Sequence, residues 1–148
     1  MNGFEQQKAK GKVAEDIVKR HLASRGHIVK DVSEIREYQK KDIDFLVTNG
    51  TTNELITLEV KRDDNLFRTG NFFFEIGFQR NEYYSMGWID KSKADYLCFF
   101  DMKRGKGFIL DFNATKGALA AIGKPHYFWD RIDECEGMAY LVPIWKAK

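Results

Sequence analysis

Two alternating runs joined by a turn constrain this chain most: DIDFLVT, residues 42–48, and ELITLEVKR, residues 54–62, with NGTTN between them. Successive side chains of a strand point to opposite faces. In the first run Ile43, Phe45 and Val47 therefore face one way, and Asp42, Asp44 and Leu46 the other. In the second, Ile56, Leu58 and Val60 oppose Leu55, Thr57, Glu59 and Lys61. The spacing predicts a hairpin whose two strands each present a carboxylate. Glu59 and Lys61 share a face, about 6.6 Å apart along the strand at ~3.3 Å per residue. Arg62 falls with Val60 on the other face.

Around this hairpin the pattern is that of an α/β chain. From Glu5 to about Ser24 the residues Val13, Ala14, Ile17, Val18, His21 and Leu22 recur at helical spacing, with Gly26 as the stop. HIVKDVSE predicts a first strand before the hairpin, and the aromatic segment from Asn65 to Trp88 reads as irregular. DKSKAD predicts a polar helical turn or short helix leading into the strand YLCFFD. A basic turn, KRGKG, leads to GFILDF; NATKGALAAI reads as a short helix begun by Asn113, and MAYLVPI as a last strand. Together these give a central mixed sheet flanked by helices.

At 148 residues the chain has the length of one domain, and a single domain spanning residues 1–148 is expected. An apolar fraction of 43% argues against disorder. The formal charge of +2 permits a polyanionic partner without being the signature of a purely electrostatic DNA binder, so any nucleic-acid argument must come from a site. Cys98 and Cys135 have no metal-ligand spacing, and no apolar signal segment or membrane span is visible, so a cytoplasmic protein with no membrane partner is expected.

The chemistry lies in the carboxylates. Mg²⁺ keeps several waters and is held by one or two carboxylates plus substrate phosphate oxygens. Asp44 and Glu59 on neighbouring strands are the candidate pair, and Lys61 beside them is placed to orient a water and stabilise the phosphoryl oxygens. Serving as a base would need a lowered lysine pKa, which burial favours and two neighbouring carboxylates oppose; the electrostatic role is preferred. Glu15, at the rim of the helical stripe of Ala14, Val18 and Leu22, is within reach of the same point. Asp42 shares the face of Asp44 and competes with it; Asp44 is preferred because it lies closer to the turn-paired Glu59.

An acidic residue on the first helix, then Asp44, then Glu59-x-Lys61 fifteen residues later across a turn, resembles the PD-(D/E)XK nuclease superfamily. The resemblance covers Glu5 to Asp101, and Ile43 stands where the family carries a proline. TGNFFFE followed by GWIDKSKADYL is also similar to a segment of phage and bacterial members. The resemblance implies a restriction-endonuclease-like α-β-β-β-α-β core, with Asp44, Glu59 and the carbonyl of Val60 on Mg²⁺, or Mn²⁺ in its place. Lys61 is then the catalytic lysine and Glu15 the accessory acid.

These readings converge on a metal-dependent DNA endonuclease, of the structure-selective, Holliday-junction-resolvase-like kind that acts in recombination or repair. The alternatives are a sequence-specific restriction-type enzyme and a non-catalytic DNA-binding protein that keeps the fold. Symmetric cutting of two strands by a one-site domain calls for a homodimer. Glu75 and Lys93 are accessory or DNA-contacting candidates, each also readable as a surface charge. His21 reads as a core or boundary residue. The aromatics Phe72, Phe73, Phe74, Tyr83, Tyr84 and Trp88 read as core or interface, with stacking on unpaired bases as the other use.

Overall fold

The computed structural model describes residues 3–80, 83–121, 126–130 and 135–143. Helix α1 (Gly3–Ser24) opens the chain and β1 (Ile28–Asp31) follows. A single helical turn, α2 (Arg36–Gln39), leads to the hairpin of β2 (Phe45–Thr48) and β3 (Leu55–Arg62). Asn49 builds the turn by accepting bonds from the Thr51 and Thr52 N–H groups through its side-chain oxygen, an Asx arrangement. Gly50 is required there, because a Cβ would come 1.9 Å from the Gly26 carbonyl oxygen.

The main sheet has five strands in the order β1-β2-β3-β6-β7, with β6 (Tyr96–Asp101) and β7 (Lys106–Asp111) completing it. Every pairing is antiparallel except β3 with β6, which is parallel. This is the expected mixed sheet. One face packs against α1, where Val18 and Leu22 meet Phe45, Val47, Leu58 and Val60. The buried stripe of the helix is narrower than its sequence pattern, since Val13 is 48% exposed and His21 is exposed.

The other face packs against elements the sequence pattern did not reveal. The segment expected to be irregular contains α3 (Leu66–Thr69), β4 (Asn71–Arg80), β5 (Tyr83–Met86) and α4 (Trp88–Lys91). Three consecutive phenylalanines hide the alternation. Phe72 and Phe74 are buried whereas Phe73 is half-buried, and a bulge between Glu75 and Gly77 shifts the register. Strands β4 and β5 join β8 (His126–Asp130) and β9 (Cys135–Pro143) in a second, antiparallel sheet of order β5-β4-β9-β8. Phe72 and Phe74 pack against Phe99 of the main sheet, the first tilted at a ring separation of 5.1 Å and the second edge-on at 5.3 Å. Helix α5 (Phe112–Ala120) adds Phe112 and Leu119 to this core.

Two helix starts also differ from expectation. The helix α5 is capped by Asp111, whose carboxylate accepts from the Ala114 N–H at 2.9 Å, so it begins before Asn113. The helix expected over DKSKAD lies a little earlier, over Trp88–Lys91. The side chains of Tyr83, Tyr84 and Trp88 lie outside the described residues, as do those of His126 and Cys135. Among the described residues, no helix is long and apolar enough to cross a membrane.

Candidate functional site

Asp44 sits one residue before β2, in an extended segment held on both sides. Its N–H donates to the Leu58 carbonyl at 3.0 Å, and its own carbonyl accepts from the Val32 N–H at 2.9 Å. Because Phe45 pairs with Leu58, Asp44 lies opposite Glu59 across the hairpin. Its carboxylate oxygen Oδ2 accepts from the Val60 N–H at 2.7 Å, which fixes the side chain against β3. Just upstream, Asp42 takes a left-handed backbone conformation (φ 49°), which Asp tolerates better than most residues, and its carboxylate faces Lys91 at 3.9 Å.

Glu59 and Lys61 do share one face of β3. Lys61 Nζ lies 2.9 Å from Glu59 Oε1. The second oxygen, Glu59 Oε2, is buried and has no hydrogen-bond partner among the described residues. Buried polar atoms are nearly always paired, so this orphan calls for an explanation. Helix α1 supplies Glu15, which shares a hydrogen bond with Asp44. Lys12 lies 3.4 Å from Glu15 and 2.6 Å from Asp31 on β1, and Asp31 also accepts from the N–H and hydroxyl of Ser33.

The electrostatics reflect a surplus of negative charge in little water. Burial, reinforced by the Asp44 charge, pushes Glu15 up to about 8, and Lys12 only partly opposes it. Burial likewise raises Asp44, against the Val60 N–H. Glu59 is pushed up to about 8 by burial and then by Asp44, with Lys61 pulling the other way. Burial alone would lower the Lys61 ammonium, yet the charges of Glu59, Asp42 and Asp44 hold it above the usual lysine value. Burial raises Asp31 too, but bonds from Lys12 and Ser33 outweigh it and bring it down to about 2.

The structure thus brings Glu15, Asp44, Glu59 and Lys61 together. Asp42 faces Lys91 at 3.9 Å, while its charge still acts on Glu59 and Lys61. Lys93 is exposed outside the cluster, its N–H bonded to the Lys41 carbonyl, and Glu75 lies on β4, on the strand face of Asn71 and Phe73. Sequence reasoning missed Lys12 and Asp31. Lys12 had a signal, its i,i+3 spacing to Glu15 on one helix face, whereas Asp31 reaches the network only through the fold.

The donor set suits a hard divalent cation. An orphaned, buried carboxylate oxygen faces a cluster whose carboxylates are held against ionisation, and a cation would satisfy both. Among the described residues no group of three His, Cys, Asp or Glu side chains is placed to hold a metal ion by itself. Two clefts meet the cluster. One of about 610 Å³ is lined by Lys8, Lys12, Glu15, Ser33, Gln39 and Asp44. Another of about 450 Å³ begins at Lys61 and runs past Asn65, Arg68, Thr69, Asn71 and Phe73.

No protein-family profile and no curated protein matches the sequence. The solved structure of I-Ssp6803I, a bacterial homing endonuclease, superposes with a TM-score of 0.53 at 15% identity, covering 72% of this chain and 70% of that one. This chain has the fold of that nuclease. At such low identity the likeness concerns architecture, so the chemistry has to be argued from the cluster itself.

Proposed function

We propose that this protein is a Mg²⁺-dependent DNA endonuclease that hydrolyses phosphodiester bonds, with Mn²⁺ able to replace Mg²⁺. The single observation that carries the reading is the buried Glu59 Oε2, without a partner among the described residues, beside Asp44 and Lys61. The shared fold with a homing endonuclease supports DNA as the substrate. Asp44, Glu59 and the Val60 carbonyl would hold the cation, as in the PD-(D/E)XK resemblance. Bound there, Mg²⁺ supplies Lewis-acid polarisation of the phosphate and a water of lowered pKa.

The remaining steps belong to the chain's own groups. Lys61, held in its ammonium form by Glu59, Asp42 and Asp44, donates hydrogen bonds and positive charge to the phosphate oxygens as charge builds on them. It is a poor base for the same reason. Glu15, kept protonated by burial and by Asp44, positions the Asp44 carboxylate through their shared hydrogen bond. Arg62 projects to the α1 side, where it pairs with Asp64 at 2.6 Å and donates to the Lys10 carbonyl at 3.0 Å, so its charge is engaged within the protein although it borders the cleft beside Lys61. One such site cuts one strand, so paired cuts require two copies of the chain.

The test is incubation of purified protein with supercoiled, linear, single-stranded and four-way-junction DNA in Mg²⁺, Mn²⁺ or EDTA, beside Lys61→Ala and Asp44→Asn. Cutting that needs metal and is lost in both variants supports the reading. Metal-dependent cutting that survives both substitutions removes the site assignment, and DNA binding with no cutting in any metal favours a non-catalytic binder.

A further inference from the structure

The 450 Å³ cleft that begins at Lys61 has a composition the hydrolysis itself does not use. Its floor comes from β4, where the half-buried Phe73 and Asn71 share the strand face opposite the core residues Phe72 and Phe74. Its rim comes from α3: Asn65 accepts from the Arg68 guanidinium at 3.1 Å, and Thr69 bonds the Asn65 carbonyl at 3.0 Å. Gly70, in a left-handed conformation (φ 71°), ends that turn and swings the chain into β4, so rim and floor are rigidly joined. An aromatic ring, side-chain amides and a guanidinium around a nucleotide-sized hollow are what recognise a base taken out of its stack. A duplex held by its backbone uses guanidinium and amide groups too, but has no use for the aromatic ring, which is the part that singles out a base.

We infer that this cleft is a subsite for an unpaired DNA base next to the scissile phosphate, stacked on Phe73 and bounded by Arg68 and Asn71. The inference rests on the nuclease reading and deepens it by naming the substrate class. Asp44 lines the first cleft and Lys61 the second, and both belong to the cluster around Glu59, so a strand lying along the first, past Lys8 and Lys12, would pass Lys61 on its way into the second. The preferred DNA then carries an unpaired or frayed base beside the cut, as at a junction, flap or mismatch. A base sequence in an intact duplex is not what the subsite reads.

The experiment compares equilibrium binding, in EDTA and in Ca²⁺, of a paired duplex and the same duplex with one unpaired 2-aminopurine. Binding is followed by anisotropy of an end label and by 2-aminopurine emission. The wild type binds the unpaired-base DNA about ten-fold or more tightly, the scale of one base–aromatic stack, and quenches the probe. In Phe73→Ala and in the exposed-site variant Arg68→Ala the ratio of the two affinities falls toward one and quenching weakens. Because the readout is a ratio within one protein sample, partial misfolding of Phe73→Ala does not imitate the result, and Arg68→Ala tests the rim without touching a packed residue. Equal affinities in the wild type overturn the inference, as does a preference that survives both substitutions. Should that happen while Mg²⁺-dependent cutting persists, the subsite alone falls; if the protein neither binds nor cuts DNA, the nuclease reading falls with it.

Discussion

Two groups of acidic residues lie along the central strands, and only one of them is satisfied. At the C-terminal end of β6, Asp101 is 1% exposed, and its carboxylate accepts from the N–H groups of Phe67, Lys103 and Arg104 at 2.9–3.2 Å. Its neighbour Asp64 accepts from Arg62 and from the Met102 N–H. The Arg62 bonds, ahead of any burial, lower Asp64 below the usual carboxylate range. Upstream on β3, Glu59 is nearly as buried at 6% and is left with an orphan oxygen, while Glu15 and Asp44 share a hydrogen bond that two ionised carboxylates cannot make. Carboxylates that build the fold have their partners within it. In the other group Glu59 Oε2 has no partner among the described residues, and on the proposed reading a cation takes that place.

This contrast can be broken at several points. The largest effect belongs to Lys61: Lys61→Ala is expected to reduce the rate of DNA cutting by ~10²–10³, the scale of losing one charge-stabilising donor, measured under single-turnover conditions. Arg62→Ala, on the other face, should leave that rate within a few-fold of wild type. A rate loss confined to Arg62→Ala would reverse the assignment of the two faces.

Stability gives the second contrast. Asp101→Ala removes the acceptor of three N–H groups, those of Phe67, Lys103 and Arg104, from a buried position and is expected to cost about 1–3 kcal/mol in urea unfolding. Glu59→Gln, measured in EDTA, is expected to cost less than Asp101→Ala, since the loss of its ion pair with Lys61 is offset by relief of a buried carboxyl group with an unpartnered oxygen. A large destabilisation by Glu59→Gln would make Glu59 a structural carboxylate like Asp101.

A pH series sharpens the same point. Glu15 and Glu59 have folded-state values near 8, above the ordinary 4.5 they have when unfolded. The unfolded chain therefore gives up these protons first, and the metal-free protein loses stability as pH rises from about 5 to about 8. Thermal midpoints in EDTA should fall across that window. Millimolar Mg²⁺ should raise the midpoint more at pH 8 than at pH 5, because ionised carboxylates bind it and protonated ones do not. The smallest expected effect is that of Arg62→Ala on stability, about 0.5–1 kcal/mol for a solvent-facing pair with Asp64.

The face shared by Glu59 and Lys61 was legible because a strand's period of two is strict, and the same rule placed Asp44 on the matching side. Helix α1 was legible from its stripe, although the stripe overstated burial at Val13 and His21: the helix rests on only part of the sheet. The second sheet was not legible. Phe72, Phe73 and Phe74 are equally apolar, so the sequence carries no sign of which ring faces the core, and the Glu75–Gly77 bulge erases the period beyond it. Nor does local pattern show that Asp31 would reach Lys12 across nineteen residues, a contact set by how α1 lies on the sheet. Asp111 outcompeted Asn113 as the helix cap because the strand before it ends there, leaving its carboxylate over the Ala114 N–H.

On the proposed reading Glu59 and Asp44 hold a divalent cation between them. Titration calorimetry of Mn²⁺ into the folded, DNA-free protein at about pH 8, where part of Glu59 is ionised, tests it most directly. Saturable binding is expected in the wild type, lost in Glu59→Gln and in Asp44→Asn and kept in Asp101→Asn. Equal binding in the wild type and in both site variants would contradict it.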